Sequence, residues 1–166
     1  MAGECAACGG KCCRWAKGFW NPSMLTKKEI EAIRKLTGRD DFYTRDQGHF
    51  VMKNKGRGNI NCIFLDESSR MCPIYESRPL ECELFPLDIK MDGGKLVWSL
   101  CLKCPAAEKA VKDAGIREDF ERMAKELDAV VAKKYPKESI MEFATFFDHE
   151  SEEIKYLKIC ESKIRL

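Results

Sequence analysis

The sequence predicts an α+β fold: a small irregular domain with short hairpins, followed by a C-terminal helical region. Three observations predict it. Short apolar runs before residue 105 are separated by Gly- and Asn-rich turns, as hairpins require. Apolar residues after residue 105 recur at helical spacing. Nine of the ten cysteines lie between Cys5 and Cys104, and only Cys160 lies beyond. These features divide the chain into residues 1–105, rich in cysteine, and a helical extension over 106–166, packed on the first part or on a partner.

Residues 1–20 are rich in Cys and Gly and carry neither helical nor strand periodicity, which predicts a loop. Thr26 opens a helix, because its hydroxyl can cap and Glu29, three residues on, completes a capping box. Leu25, Ile30, Ile33 and Leu36 form its apolar face, and Gly38 is a natural stop. Phe50–Lys53 and Ile60–Leu65 are expected as short strands around the turn-rich segment Asn54–Asn59. A second hairpin is expected from Leu87–Met91 and Lys95–Leu100, joined at Asp92-Gly93-Gly94. Between the hairpins, Tyr75–Leu84 is expected to hold a helical turn and an irregular segment at Arg78-Pro79.

Beyond Cys104-Pro105, Ala106–Ala114 reads as a helix closed by Gly115. Phe120, Met123, Ala124, Leu127, Val130 and Val131 repeat at helical spacing up to Tyr135-Pro136. Ile140, Phe143, Ala144 and Phe147 predict another helix, and Ile154, Leu157 and Ile164 a last one.

The chain has 166 residues, 34% charged and 45% hydrophobic, with a formal charge of +2. This is the balance of a globular protein. No stretch approaches the roughly 18 apolar residues of a membrane span, so no direct membrane insertion is expected. Lys27-Lys28 lies in a mixed-charge helix and reads as a solvated face, so no nucleic-acid binding is expected. The opening residues have no basic n-region and no apolar run, which argues against a secretory signal and for a cytoplasmic, reducing setting. There, thiols stay reduced, bind metal or catalyse.

The first cysteine group is Cys5-x2-Cys8-x3-Cys12-Cys13. A tetrahedral ion needs sulfurs a few ångströms apart, and a two-residue spacer lets the chain turn back on one centre. Gly9 and Gly10 permit the tight bend. The adjacent pair Cys12-Cys13 does not easily aim both sulfurs at one ion; two centres, a polynuclear cluster, or one ligand beside a bystander are the options. Cys62, Cys72 and Cys82 follow at ten-residue intervals, and Cys101-x2-Cys104 precedes Pro105 in the manner of a metal knuckle. The first part of the chain thus reads as metal-stapled, a device suited to a domain with a modest core. Cys160, on an apolar stripe, reads as a small buried hydrophobe.

The run Asn61-Cys62-Ile-Phe-Leu65-Asp66, then Cys72-Pro-Ile-Tyr75-Glu-Ser-Arg78-Pro79-Leu80-Glu-Cys82-Glu-Leu-Phe85-Pro86, resembles the signature of the YkgJ-like cysteine-cluster family. That family is also described as the CxxCxxCC zinc- or iron-chelating domain. Cys5–Cys13 look like its opening motif and Cys101–Cys104 like its closing cysteines, so the resemblance spans about residues 1–105. One departure is visible: three residues rather than two separate Cys8 from Cys12-Cys13. The resemblance implies metal ligation by Cys5, Cys8, Cys12, Cys13, Cys62, Cys72, Cys82, Cys101 and Cys104.

Other residues of this run have physical roles as well. Arg78 can donate hydrogen bonds to cluster sulfurs or to a carbonyl, the alternative being a surface pair with Glu76 or Glu81. Pro79 and Pro86 stiffen the loops between ligands. Tyr75, Phe64 and Phe85 read as local core.

Thiolate ligands suit zinc and iron–sulfur clusters alike. Up to nine thiolates without a neighbouring histidine favour an iron–sulfur cluster of the [4Fe–4S] type, as does the iron in the family's description. Zinc is the alternative, because the ferredoxin run of three cysteines at two-residue spacing is absent. His49 and His149 stand alone. The expected role is a metal-binding accessory or regulatory protein, redox- or oxygen-responsive, docking on a larger protein or enzyme complex. A small electron carrier is the first alternative. A methyltransferase resembling flagellin lysine methylase ranks below both, since the chain has no glycine-rich phosphate loop, no radical-type Cys-x3-Cys-x2-Cys and no acid–base pair. Asp66 and Glu67 read as turn residues. No catalytic residue is assigned.

Overall fold

The computed structural model describes residues 8–14, 22–146 and 155–165. It has α+β architecture, with small antiparallel sheets and a helical C-terminal region. The chain forms two compact units, Met1–Glu83 and Leu84–Leu166. This boundary falls inside the cysteine-rich segment 1–105, so Cys101 and Cys104 fold with the second unit.

In the first unit, Lys11–Cys13 forms a single 3-10 turn. Strand β1 (Met24–Leu25) leads into helix α1 (Lys27–Thr37), whose start is fixed by the expected capping box. Thr26 Oγ1 accepts from Glu29 N, and Glu29 Oε2 accepts from Thr26 N at 2.7 Å. Gly38 ends the helix at φ 67°, its amide donating to Arg34 O. Ile30 and Ile33 are buried as expected, but Leu36 is 56% exposed and Leu25 belongs to β1 rather than to the helix.

Strands β2 (Tyr43–Asp46) and β3 (His49–Met52) pair antiparallel, with β1 on the other side of β3. The segment expected as a turn is itself a hairpin: β4 (Asn54–Gly56) pairs with β5 (Asn59–Cys62). Arg57 and Gly58, at φ 51° and 83°, make the two-residue connection, so the residues flanking them join the ladder. Residues 63–65, expected to continue the strand, leave it at Cys62 to close a turn. The core of this unit is Leu25, Ile30, Ile33, Phe42, Met52, Phe64 and Ile74, with Cys62 and Cys72 packed against it. A 3-10 turn at Tyr75–Ser77 and the short helix α2 (Leu80–Leu84) complete the segment between the hairpins.

The second unit is built on the predicted hairpin of β6 (Leu87–Asp92) and β7 (Lys95–Cys101). Its register places Leu87 opposite Leu100 and Asp92 opposite Lys95, leaving Gly93-Gly94, both at positive φ, as the turn. Helix α3 (Pro105–Lys109) is shorter than expected, and Gly115 does not close it. Instead Asp113 Oδ1 accepts from Ile116 N at 3.1 Å and caps a new helix, α4 (Ala114–Lys134), with Gly115 in its first turn. Helix α5 (Lys137–Phe146) follows; Phe147 lies outside the described residues.

The last predicted helix is a strand, β8 (Tyr156–Glu161), pairing antiparallel with β7. The three apolar positions that suggested a helix are too few to outweigh the unpaired edge of β7, and Tyr156-Leu-Lys-Ile-Cys160 has the composition of a strand. Cys160 therefore lies opposite Trp98 on a sheet, not on a helical stripe. Ile154 lies outside the described residues. Buried Asp128 of α4 ties this unit together: Oδ1 accepts from Trp98 Nε1 (2.8 Å) and Ser162 Oγ (2.6 Å), and Oδ2 from Lys163 N (2.8 Å). No helix among the described residues is long and apolar enough to cross a membrane.

Candidate metal centre

The opening loop bends where the glycines allow. Gly9 and Gly10 adopt φ 66° and 72°, and a Cβ on Gly10 would stand 3.1 Å from both Arg70 O and Leu65 Cδ1. Only a residue without a side chain fits this close approach to the segment between Cys62 and Cys72. The turn that follows is closed by Cys13 N donating to Gly10 O at 2.9 Å. It places Cys12 Sγ 3.9 Å from Cys13 Sγ. Two sulfurs on one tetrahedral ion, at metal–sulfur bonds of about 2.3 Å, stand about 3.8 Å apart. The adjacent pair that looked awkward in the sequence is thus spaced as co-ligands.

The Cys13 side chain also acts on the thiol of Cys62. That interaction pulls Cys62 below the ordinary thiol value against the opposing effect of burial, helped by the amides of Phe64 and Leu65 donating to its sulfur. Cys13 is pushed up, first by hydrogen bonds to Cys12 and Cys62 and then by burial. The three sulfurs resist simultaneous ionisation because their negative charges would face each other; a cation between them reverses that balance.

Three cysteines share one local geometry. Leu65 N donates to Cys62 O (2.9 Å), Tyr75 N to Cys72 O (3.1 Å) and Cys104 N to Cys101 O (3.2 Å). In each turn the amide two residues on, that of Phe64, Ile74 or Lys103, donates to the cysteine sulfur. A neutral buried thiol is a weak acceptor with little use for such a donor, whereas a thiolate is stabilised by it. Burial pushes Cys72 and Cys101 up, and these amides act against that push.

Cys82 is positioned differently. It lies on α2, lashed to the first unit by two carboxylates: Glu29 Oε1 accepts from Leu80 N at 2.8 Å, and Glu81 Oε2 from Met24 N at 2.9 Å. Its sulfur stands 3.0 Å from Ser23 Oγ, and burial raises its pKa well above the usual thiol value. Arg78, between Cys72 and Cys82, lies over the Tyr75 ring with Cζ 3.8 Å from the centroid. Among the described residues it pairs with neither Glu76 nor Glu81, and its buried Nε has no hydrogen-bond partner.

The structure therefore brings Cys12 and Cys13 together, sets Cys62, Cys72 and Cys82 in the same unit, and places Cys101 and Cys104 in the second. Cys8 begins the glycine bend, and Cys5 lies outside the described residues. No disulfide links the described cysteines to one another. Among the described residues no group of three or more His, Cys, Asp or Glu side chains stands close enough together to hold a metal ion. The donor set nevertheless fits a thiophilic centre: it is all sulfur, two sulfurs have co-ligand spacing, and nearby amides favour the thiolates of Cys62, Cys72 and Cys101. His49 lies in β3 opposite Asp46, and His149 is outside the described residues. Spacing alone did not reveal Ser23, Glu29 or Glu81, whose roles depend on contacts more than 50 residues apart.

Residues 4–105 match the family model CxxCxxCC, described as "Putative zinc- or iron-chelating domain", and the chain belongs to this cysteine-cluster family. An uncharacterized protein of Methanocaldococcus jannaschii is 49% identical over 101 residues, covering 58% of this chain and 50% of that relative. The chain thus spans about half the length of the curated relative it matches. No solved structure matches.

Proposed function

We propose that the chain is a metal-binding accessory protein whose first unit holds a thiolate-ligated centre, an iron–sulfur cluster of the [4Fe–4S] type in preference to zinc. The observation that carries this reading is the 3.9 Å spacing of the Cys12 and Cys13 sulfurs. When bound, an iron–sulfur cluster would supply a one-electron couple and zinc a fixed charge. The chain's own residues set the rest. Cys12, Cys13, Cys62 and Cys72 offer ligands, and Cys82 adds a further sulfur in the same unit. That is more than the four a single zinc takes, which supports a cluster.

Cys12 is exposed, so a centre ligated there meets solvent. An exposed ligand supports a redox- or oxygen-responsive role, in which loss of the centre alters a docking face for a larger protein. Anaerobic purification with iron, sulfide and zinc analysis tests the assignment. A brown protein with stoichiometric iron and sulfide, bleached reversibly by dithionite, is the expected result. Stoichiometric zinc without iron would move the reading to the zinc alternative, and absence of both would overturn it.

A further inference from the structure

Arg78 is the one residue of the cysteine-rich run whose chemistry the ligand set does not absorb. Pro79 follows it and holds its backbone extended, at φ −68° and ψ 152°. Its guanidinium lies over Tyr75, with Cζ 3.8 Å from the ring centroid. A guanidinium is always charged, and an arginine whose Nε is buried ordinarily meets a carboxylate. Arg78 meets none: Glu81 is engaged by Met24 N, and the buried Nε–H has no acceptor among the described residues. Such a donor calls for an anionic acceptor. The nearby anionic chemistry is sulfur. Cys72 precedes Arg78 by six residues, and its carbonyl accepts from the amide of Tyr75, the residue whose ring carries the guanidinium.

We propose that Arg78, braced on Tyr75, is a positioning residue that donates its Nε–H to a sulfur of the bound thiolate centre. This rests on the metal reading above and assigns the centre its resident counter-charge. The guanidinium offsets the negative charge of several thiolates held together, and its planar fork directs the hydrogen bond to one sulfur. Tyr75, which reads as core from the sequence, is the platform that makes this orientation possible.

The test uses the full chain, loaded anaerobically with zinc for affinity and with cobalt(II) for spectroscopy. Arg78→Gln is expected to weaken zinc retention against a competing chelator by about 10–100-fold, as loss of a hydrogen bond to a ligand does. It should also shift the sulfur-to-cobalt charge-transfer band. Arg78→Lys, which keeps the charge without the fork, should recover part of the affinity but not the band position. Tyr75→Leu should behave in the same direction as Arg78→Gln, whereas Arg122→Gln, on the exposed face of α4, should match wild type. Wild-type affinity and spectrum in Arg78→Gln would overturn the proposal alone. Wild-type chain that takes up none of zinc, cobalt or an iron–sulfur cluster would overturn the metal reading and this proposal with it. If Arg78→Gln does not fold, the other two variants decide: wild-type behaviour in both overturns the proposal.

Discussion

Glu29 Oε1 accepts the amide of Leu80 at 2.8 Å, while the other oxygen of the same carboxylate accepts Thr26 N and Thr26 Oγ1. One side chain therefore satisfies the first turns of two helices 51 residues apart, and one of those helices carries Cys82. Helix α2 has only five residues and too few internal bonds to stand alone. Its position is set by Glu29 at its first amide and by Glu81, which reaches back to β1.

Replacing Glu29 by Ala should therefore cost more than an ordinary cap. The capping interaction is worth about 1 kcal/mol, and the orphaned Leu80 amide adds about 1–3 kcal/mol. A loss of about 2–4 kcal/mol in urea unfolding is expected. Glu29→Gln, which keeps an acceptor, should lose less than half of that. Equal losses in the two variants would show that charge, not the double hydrogen bond, matters.

Removal of metal should abolish the cooperative transition of the first unit. Structural thiolate metal contributes on the order of 10–16 kcal/mol, as much as a domain's whole net stability of about 5–15 kcal/mol. Calorimetry before and after anaerobic chelation checks this; an unchanged transition would reject the stapling role.

Cysteine variants should sort by geometry. Cys62→Ser removes a sulfur that two amides and Cys13 face, and should abolish stoichiometric metal. Cys160→Ser, on β8 opposite Trp98, should leave the metal content of the protein unchanged. Metal analysis of the two purified variants separates ligand from bystander.

Asp88 makes a pH prediction for the second unit. Burial raises its carboxyl to about 6, with Lys90, the Ile89 amide and Tyr156 opposing that push. The folded value lies above the ordinary 3.8, so the folded state binds this proton more tightly than the unfolded state does. Its contribution is thus unfavourable above about pH 6 and fades as pH falls toward 4. Asp88→Asn should stabilise the protein by about 1–3 kcal/mol at pH 7.5, with the difference from wild type vanishing near pH 4. A difference independent of pH would contradict this.

Much of this was readable in advance where local chemistry dominates. Thr26 and Glu29 wrote the capping box, and Gly93-Gly94 the hairpin turn. Sequence reading failed where long-range pairing decides. Tyr156–Glu161 became a strand because the edge of β7 was open, and Asn54–Gly56 paired because Arg57-Gly58 needed only two residues to reverse the chain. For the site, cysteine spacing and the family resemblance gave the donors. Side-chain orientation did not follow from them: neither the 3.9 Å approach of the Cys12 and Cys13 sulfurs nor the buried Arg78 Nε, which lacks an acceptor among the described residues, is written in spacing.

The three matching turns at Cys62, Cys72 and Cys101 direct the amides of Phe64, Ile74 and Lys103 at sulfur rather than at a carbonyl. Their hydrogens become reporters of charge on that sulfur. In deuterated water they should exchange readily while the sulfur is a thiol and slow sharply once it becomes a thiolate. The backbone thus carries isotope labels for ligation at three separate points along the chain.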